Sequence, residues 1–398
     1  MSRVSVRWAR SSAFLIAALV LVAINLRPAA AAVGPLIHRI RDDTGLSAAG
    51  AGLLVTLPVL CFGALAPLAP VLARRLGPRA TVACALAALG LGLVVRLVPG
   101  LAFLFAGTIL AGAAIAVANV LLPVLVRRDF PERAGVITGL YSSALIGFAA
   151  LSAGVSVPLA NALGGGWRPA LAIWAAPAAI ALLAWVPEVR LGRRALAAQG
   201  WRIGGVRPLL GDRVAWALTL FFALQSAGFY ATLAWLPSIF QSHGASEARA
   251  GLLLSVTILV GVPAALTVPT LAVRVRDQRA LAAGFSACIA LGWLGVLIAP
   301  MAAPYVWAVL IGVGQNACFP LALTLIVLRA GSVTNTSRLS TMVQTIGYLI
   351  AAAAPLIIGA LHDLTGSWTV ALIVLLALVA PQALAGLAAG RPGTVDLA

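Results

Sequence analysis

Residues 13–37 read AFLIAALVLVAINLRPAAAAVGPLI, a run of 25 residues in which Asn25 and Arg27 are the only strongly polar side chains. A helix rises about 1.5 Å per residue and the hydrocarbon core is about 30 Å thick, so the run is long enough to cross a bilayer. Asn25 sits at its middle and Arg27 two residues further on. A guanidinium at that depth costs about 2.5–3.5 kcal/mol on insertion scales and does not shed its proton. It needs a water-filled cavity and an anionic partner. None of the ten Asp and Glu residues lies in the middle of an apolar run. The missing partner is therefore expected to be a solute.

Composition agrees with a polytopic membrane protein. Mean hydropathy is +1.07, 62% of residues are hydrophobic and 9% are charged; soluble domains are nearer 45–50% apolar and 25% charged. The net charge of +17 comes from 27 arginines and no lysine, scattered in short loops, so it carries topology and does not imply nucleic acid. Cys61, Cys84, Cys288 and Cys318 fall inside apolar runs without metal-ligand spacing and read as small core residues. The apolar run after Arg3, Arg7 and Arg10 is longer than a leader's hydrophobic region, so it is expected to be a retained span.

Twelve apolar runs follow one another, at about 12–37, 47–73, 80–98, 101–126, 134–163, 168–187, 214–240, 247–273, 280–299, 304–328, 339–361 and 367–389. Gly and Pro are frequent within them, as membrane helices tolerate. The expected organisation is a six-helix bundle over 1–188, a basic linker over 189–213 and a second six-helix bundle over 214–398. Of the loop arginines, 21 fall on the side of the termini and linker, and five (Arg39, Arg41, Arg96, Arg168, Arg249) on the other. The positive-inside rule then puts both termini in the cytoplasm.

The halves echo each other. Asn119 and Pro123 in the fourth run match Asn316 and Pro320 in the tenth. Trp167-Arg-Pro-Ala-Leu171 matches Trp368-Thr-Val-Ala-Leu372, and Arg79 matches Arg279. A repeat at about half the chain length indicates two pseudo-symmetric six-helix bundles. Parallel repeats of this kind place a site between the halves, near the midplane, and the halves rock about it.

Several segments carry a more specific likeness. They are Asn25-Leu-Arg27-Pro28 with Val33-Gly-Pro-Leu36, Leu57-Pro58, Pro123-Val-Leu-Val-Arg127-Arg128 and Gly139-Leu-Tyr-Ser142. To these add Tyr230-Ala-Thr-Leu-Ala-Trp235-Leu-Pro237, Cys318-Phe-Pro320-Leu and Gln344-Thr-Ile-Gly347-Tyr348. With them the chain resembles the major facilitator superfamily and, within it, the cyanate permease and nitroimidazole transporter family. The resemblance spans nearly the whole chain. It implies a monomeric transporter of the bacterial inner membrane, working without a cofactor. One departure stands out. The loop after the second run reads Pro70-Val-Leu-Ala-Arg74-Arg75-Leu-Gly77-Pro-Arg79 and lacks the Asp usual for the superfamily, which leaves the usual conformational latch open to question.

The candidate solute-binding residues are Arg27, Asn25, Asn119, Tyr141, Gln225, Tyr230, Trp235, Asn316, Gln344 and Tyr348, with Gln315 beside them. Each has a plain alternative. Asn and Gln in a bundle often hydrogen-bond a neighbouring helix, Trp235 and Tyr230 would suit an interfacial belt, and Arg27 could bridge helix carbonyls. The chemistry of the set is anion recognition, a planar guanidinium offering paired donors. No phosphate-cradling Gly-Lys-Ser/Thr loop is present, so ATP drive is not expected, and nothing reads as an enzyme or metal site. His38, His243 and His362 are too dispersed in sequence for one. The function expected is a secondary active or facilitative transporter of a small anion or polar heteroaromatic solute. The competing readings are a proton-coupled exporter of hydrophobic compounds and a transporter-like sensor without flux. With every acid in a loop or at a run's end, proton movement is expected to require the solute.

Overall fold

The computed structural model describes residues 3–65, 68–130, 133–164, 166–192, 207–331 and 333–395, and is all α-helical over them. The linker centre, 193–206, lies outside the described residues. Twelve stretches are long and apolar enough to cross a membrane: Ala13–Ala31, Ala48–Leu65, Pro78–Val95, Leu101–Leu122, Gly139–Ala162, Trp167–Val189, Arg213–Ser242, Glu247–Arg274, Arg279–Ile298, Pro304–Ala330, Arg338–Thr365 and Trp368–Ala389. They are called spans one to twelve below. Spans one to six pack as one bundle and spans seven to twelve as another. The bundles meet where span two packs on span eleven, span five on span eight and span one on span seven.

Four spans are interrupted, each beside a proline. Span one leaves helical geometry at 24–27, before Pro28. Span six breaks at 173–174, before Pro177. Span eight breaks at Val260, before Pro263, and span eleven at Ala352, before Pro355. A proline has no N–H for the carbonyl four residues back, and its ring crowds that carbonyl. Those carbonyls belong to Ile24, Ile173, Leu259 and Ala351, each within or next to its break. The apolar run at 12–37 predicts a continuous span; the structure divides it at the residues that carry Arg27.

The two ends of the bundle differ. The end opposite the termini, the far face, is tied across the halves. Arg39, past the end of span one, pairs with Glu247 at the start of span eight through both carboxylate oxygens. Asp363 at the end of span eleven accepts from the backbone N–H groups of Ala48 and Ala49, each at 2.9 Å, where span two begins. Arg41 reaches the same carboxylate at 3.8 Å. Asp43 is held below the usual carboxylate range by hydrogen bonds from Arg168 and Trp167. At the terminal face the ties stay within one half. Arg79 bridges Asp129 at 3.0 Å and Glu188 at 2.9 Å. Arg329 donates to the carbonyls of Ala389 and Gly390 and to the Gln278 side chain. Among the described residues, both ion pairs between the halves lie on the far face, so this conformation is latched there.

Glu247→Gln is expected to loosen that latch. A partly exposed pair is worth up to about 1 kcal/mol, roughly a fivefold shift in populations. Spin labels at Ser47 and Leu364, both exposed, should show a larger long-distance fraction across the far face. An unchanged distribution would show that the pair does not hold the faces together.

Candidate functional site

The broken first span is built around Arg27. At the break the backbone tightens: Asn25 N–H bonds Val22 O, and Leu26 N–H bonds Ala23 O, each at 3.1 Å. Leu21 O thereby loses its regular partner. The Asn25 side-chain amide replaces it, donating to Leu21 O at 2.7 Å and to Pro177 O of span six at 3.3 Å. Asn25 is buried and serves as a splint between spans one and six. Beyond the break Ala30 and Ala31 both donate to Arg27 O.

Arg27 thus leaves the helix at an irregular turn and is directed to the other half. Its Nη1 donates to the Tyr230 hydroxyl at 3.0 Å. The Tyr348 hydroxyl neighbours the same guanidinium. The Phe229 ring lies 5.9 Å from the guanidinium carbon, a cation–π distance. Aromatic rings continue outward. Tyr348 meets Tyr230 at 6.4 Å, Phe222 at 5.1 Å and Phe62 at 5.8 Å between centroids, all edge-on, and Phe222 meets Phe319 at 5.9 Å. The rings come from spans two, seven, ten and eleven. Arg27 is the only charge among these residues and remains partly accessible.

Its charge has no described counter-ion. Asp43, Asp129, Glu188, Glu247, Asp277 and Asp363 all pair with arginines toward the membrane faces, and Asp212 caps span seven at Ala215. Phenol hydroxyls satisfy part of a guanidinium's five donors and none of its charge. A charge so placed stays costly until an anionic or strongly dipolar group arrives.

The other candidates separate. Gln344 lies one turn before Tyr348 on span eleven, half-buried, its amide on Ser340 Oγ at 2.7 Å. Asn119 is half-buried in span four and Tyr141 buried in span five. Gln225 donates to Ser226 Oγ at 2.6 Å. Asn316 bridges Thr257 O and Gly312 O at 3.0 and 2.9 Å, tying span ten to span eight. Gln315 donates to Thr232 of span seven at 2.8 Å, while its buried side-chain oxygen has no partner. Trp235 is no belt residue. It is fully buried, its indole donates to Pro355 O at 2.8 Å, and its ring lies against Trp368. Gly52 and Gly359 make the slot that admits it; a Cβ on either would lie 3.2 or 2.7 Å from the ring.

Phe62, Phe222, Phe229 and Phe319 of this aromatic cluster are not legible in the sequence, because Phe in an apolar run carries no polar signal. Arg96 is not legible either. It ends an apolar run and reads as a loop arginine, yet it is 1% exposed and donates to Ala29 O at 3.0 Å.

Twelve spans in two bundles, closing on a charged site between them, define a membrane transporter. The sequence profile of the Major Facilitator Superfamily matches residues 13–355, and the chain belongs to that family. Among characterised and uncharacterised relatives, an uncharacterized transporter of Bacillus subtilis (strain 168), YycB, is 40% identical over 96% of this chain and 94% of its own length. The 2-nitroimidazole transporter of Escherichia coli (strain K12) is 38% identical, covering 95% of each chain. The cyanate transport protein CynX of the same strain is 32% identical over 88% of this chain and 90% of its own. The fold is shared with solved transporters of low sequence identity. A bacterial homolog of the human lysosomal transporter Spinster superposes with a TM-score of 0.77 at 14% identity, covering 96% of this chain and 97% of its own. A D-xylose–proton symporter gives 0.72 at 16%, with the same two coverages.

Proposed function

We propose that this transporter carries a small anion or a flat, strongly dipolar solute by alternating access, with Arg27 as its principal contact. The observation that carries this reading is the Arg27 guanidinium between the halves, facing tyrosine hydroxyls and an aromatic wall, with no carboxylate beside it among the described residues. Cyanate and 2-nitroimidazole, the solutes named for two relatives, suit one site. A nitro group presents two coplanar oxygens to a guanidinium fork, as a carboxylate does, and its ring packs edge-on or stacked against aromatics. Cyanate is a linear anion that needs the charge and little else. Tyr230, Tyr348 and Gln344 would orient either solute. Asn119 and Tyr141 are proposed to contribute from the first half, and Asn25, Gln225, Trp235 and Asn316 to support the walls.

The distribution of arginines supports a cytoplasmic terminal face in the inner membrane, which makes the latched far face external. The protein is proposed to act as a monomer, since each chain carries both halves of the site. With no mid-span acid described near Arg27, proton flux should appear only with solute. Proton leak without solute, or flux abolished by neutralising one loop acid, would contradict that.

The direct test is a thermal-shift screen of the purified protein with cyanate, nitroimidazoles and small carboxylates against lipophilic cations. A ligand at 100 times its dissociation constant stabilises by about 2.7 kcal/mol. If only the bulky cations raise the melting temperature, the anion reading fails and a drug exporter replaces it.

A further inference from the structure

Arg96 has no place in the proposed contacts. It stands just past span three, 1% exposed, in the seam where spans three and four come close at Gly92 and Gly107. A Cβ on Gly107 would fall 3.0 Å from the Arg96 Cγ, so the glycine leaves room for its stem. Its guanidinium makes one described hydrogen bond, Nη1 to Ala29 O at 3.0 Å. Its Nε and Nη2 are buried and unpaired, and no described carboxylate pairs with it. Methionine or leucine would fill the same seam without burying a charge. What an apolar side chain cannot supply is a donor to Ala29 O.

That carbonyl belongs to a vulnerable segment. Pro28–Ala31 is a single helical turn set off by the irregular backbone at 24–27 and joined to Val33–Thr44 only through Ala32, a turn residue with helical backbone angles. Asn25 braces the near side of the break through Leu21 O and Pro177 O. Arg96 reaches the turn from another helix, two residues beyond Arg27. We infer that Arg96 is a positioning residue for Arg27. It anchors the short turn from span three, as Asn25 anchors the preceding turn to span six. The Arg27 backbone is thereby held between two clamps, and its side chain reaches the tyrosines of the opposite half. The inference rests on the proposed role of Arg27 for its functional consequence, and on backbone geometry alone for its structural one.

The experiment uses the purified full-length chain and three variants. Arg96→Met removes the donor, Arg96→Gln keeps a donor without the charge, and Arg96→Lys keeps charge and donor. Hydrogen–deuterium exchange of peptides covering 24–33 is the readout independent of solute. Arg96→Met is expected to speed exchange there about tenfold, with peptides of spans three and four unchanged, and Arg96→Gln to restore most of the protection. In proteoliposomes loaded with cyanate or 2-nitroimidazole, Arg96→Met should raise KM about tenfold with a smaller change in maximal rate, because misplacement of a contact weakens recognition. In an Arg27→Lys background, where the paired donors are already lost but part of the affinity remains, the same change should have a much smaller effect on KM.

Unchanged exchange at 24–33 in folded Arg96→Met overturns the inference. So does protection lost equally across spans three and four, which is what a packing role would give. If Arg96→Met does not yield folded protein, the comparison of Gln with Lys decides: protection kept by both supports the donor role, and protection kept by Lys alone overturns it. If the wild-type protein carries neither solute, the proposed function fails while the exchange result still judges Arg96.

Discussion

Arg27→Ala is expected to abolish solute uptake without lowering the melting temperature of the empty protein. Most buried substitutions destabilise by about 0.5–3 kcal/mol. Here the substitution removes a half-buried charge with no described counter-ion and leaves behind a Tyr230 hydroxyl short of one donor. The first effect stabilises, and the second costs about 1 kcal/mol, so the empty protein should melt at or above the wild-type temperature. Binding moves the other way. A charge-assisted hydrogen bond contributes about 1.5–3 kcal/mol, and a bidentate contact in a partly dry cavity more. Loss of the fork should therefore weaken binding by at least about 100-fold and erase the ligand-induced thermal shift. Arg27→Lys keeps the charge as a point donor and should recover only part of the affinity for a planar two-oxygen group, with a smaller deficit for cyanate. Near-normal uptake by well-expressed Arg27→Ala would sink the proposal; a melting temperature lowered by many degrees would instead make Arg27 a structural bridge.

The fold was legible because a bilayer imposes length and polarity so strictly that twelve apolar runs leave few alternatives. The half-to-half echoes, Asn119 with Asn316 and Trp167 with Trp368, added the duplicated architecture. The site was legible only where it is polar. Arg27, Tyr230, Tyr348 and Gln344 could be picked out because each is conspicuous in an apolar span; the structure brings the first three together and leaves Gln344 one turn before Tyr348, bonded to Ser340. Asn316 and Trp235 are equally conspicuous but turn to neighbouring helices, because spacing in one chain does not say which face of a helix meets the cavity. The break at 24–27 was within reach of sequence rules, since Pro28 removes the N–H that Ile24 O needs. Prolines are common enough in membrane spans that most bend a helix without dividing it. Arg96 was not within reach: an arginine at the end of an apolar run snorkels to water far more often than it turns inward. Only the glycine-lined seam between spans three and four makes the inward path available.

Gly34→Ala and Gly359→Ala are expected to block transport by a different route, with Arg27 untouched. Both glycines lie where the halves touch on the far face. A Cβ on Gly34 would lie 2.1 Å from the Leu233 carbonyl oxygen of span seven. One on Gly359 would lie 2.7 Å from the Trp235 ring and 2.9 Å from Ala48 O of span two. Contacts this short cannot be relieved by a side-chain rotation, since carbonyls and a fully buried indole stand in the way. Overpacking of this kind costs about 1–3 kcal/mol. The part of the cost set by Leu233 O and Ala48 O falls on the far-face-closed conformation, because those contacts lie between the halves and vanish when they part; the Gly359 contact with Trp235 lies within the second half and persists. The added methyl therefore acts as a wedge that biases the equilibrium about 5- to 150-fold toward the far-face-open state. Uptake should drop steeply in both variants while solute binding persists. The distance between spin labels at positions 47 and 364 should lengthen. Gly284→Ala in span nine, where a Cβ meets nothing within 4 Å, is the control and should behave as wild type. Full-rate uptake by Gly34→Ala with an unchanged label distance would mean that the far face does not close on these contacts during transport, and would remove the structural basis for alternating access about this latch.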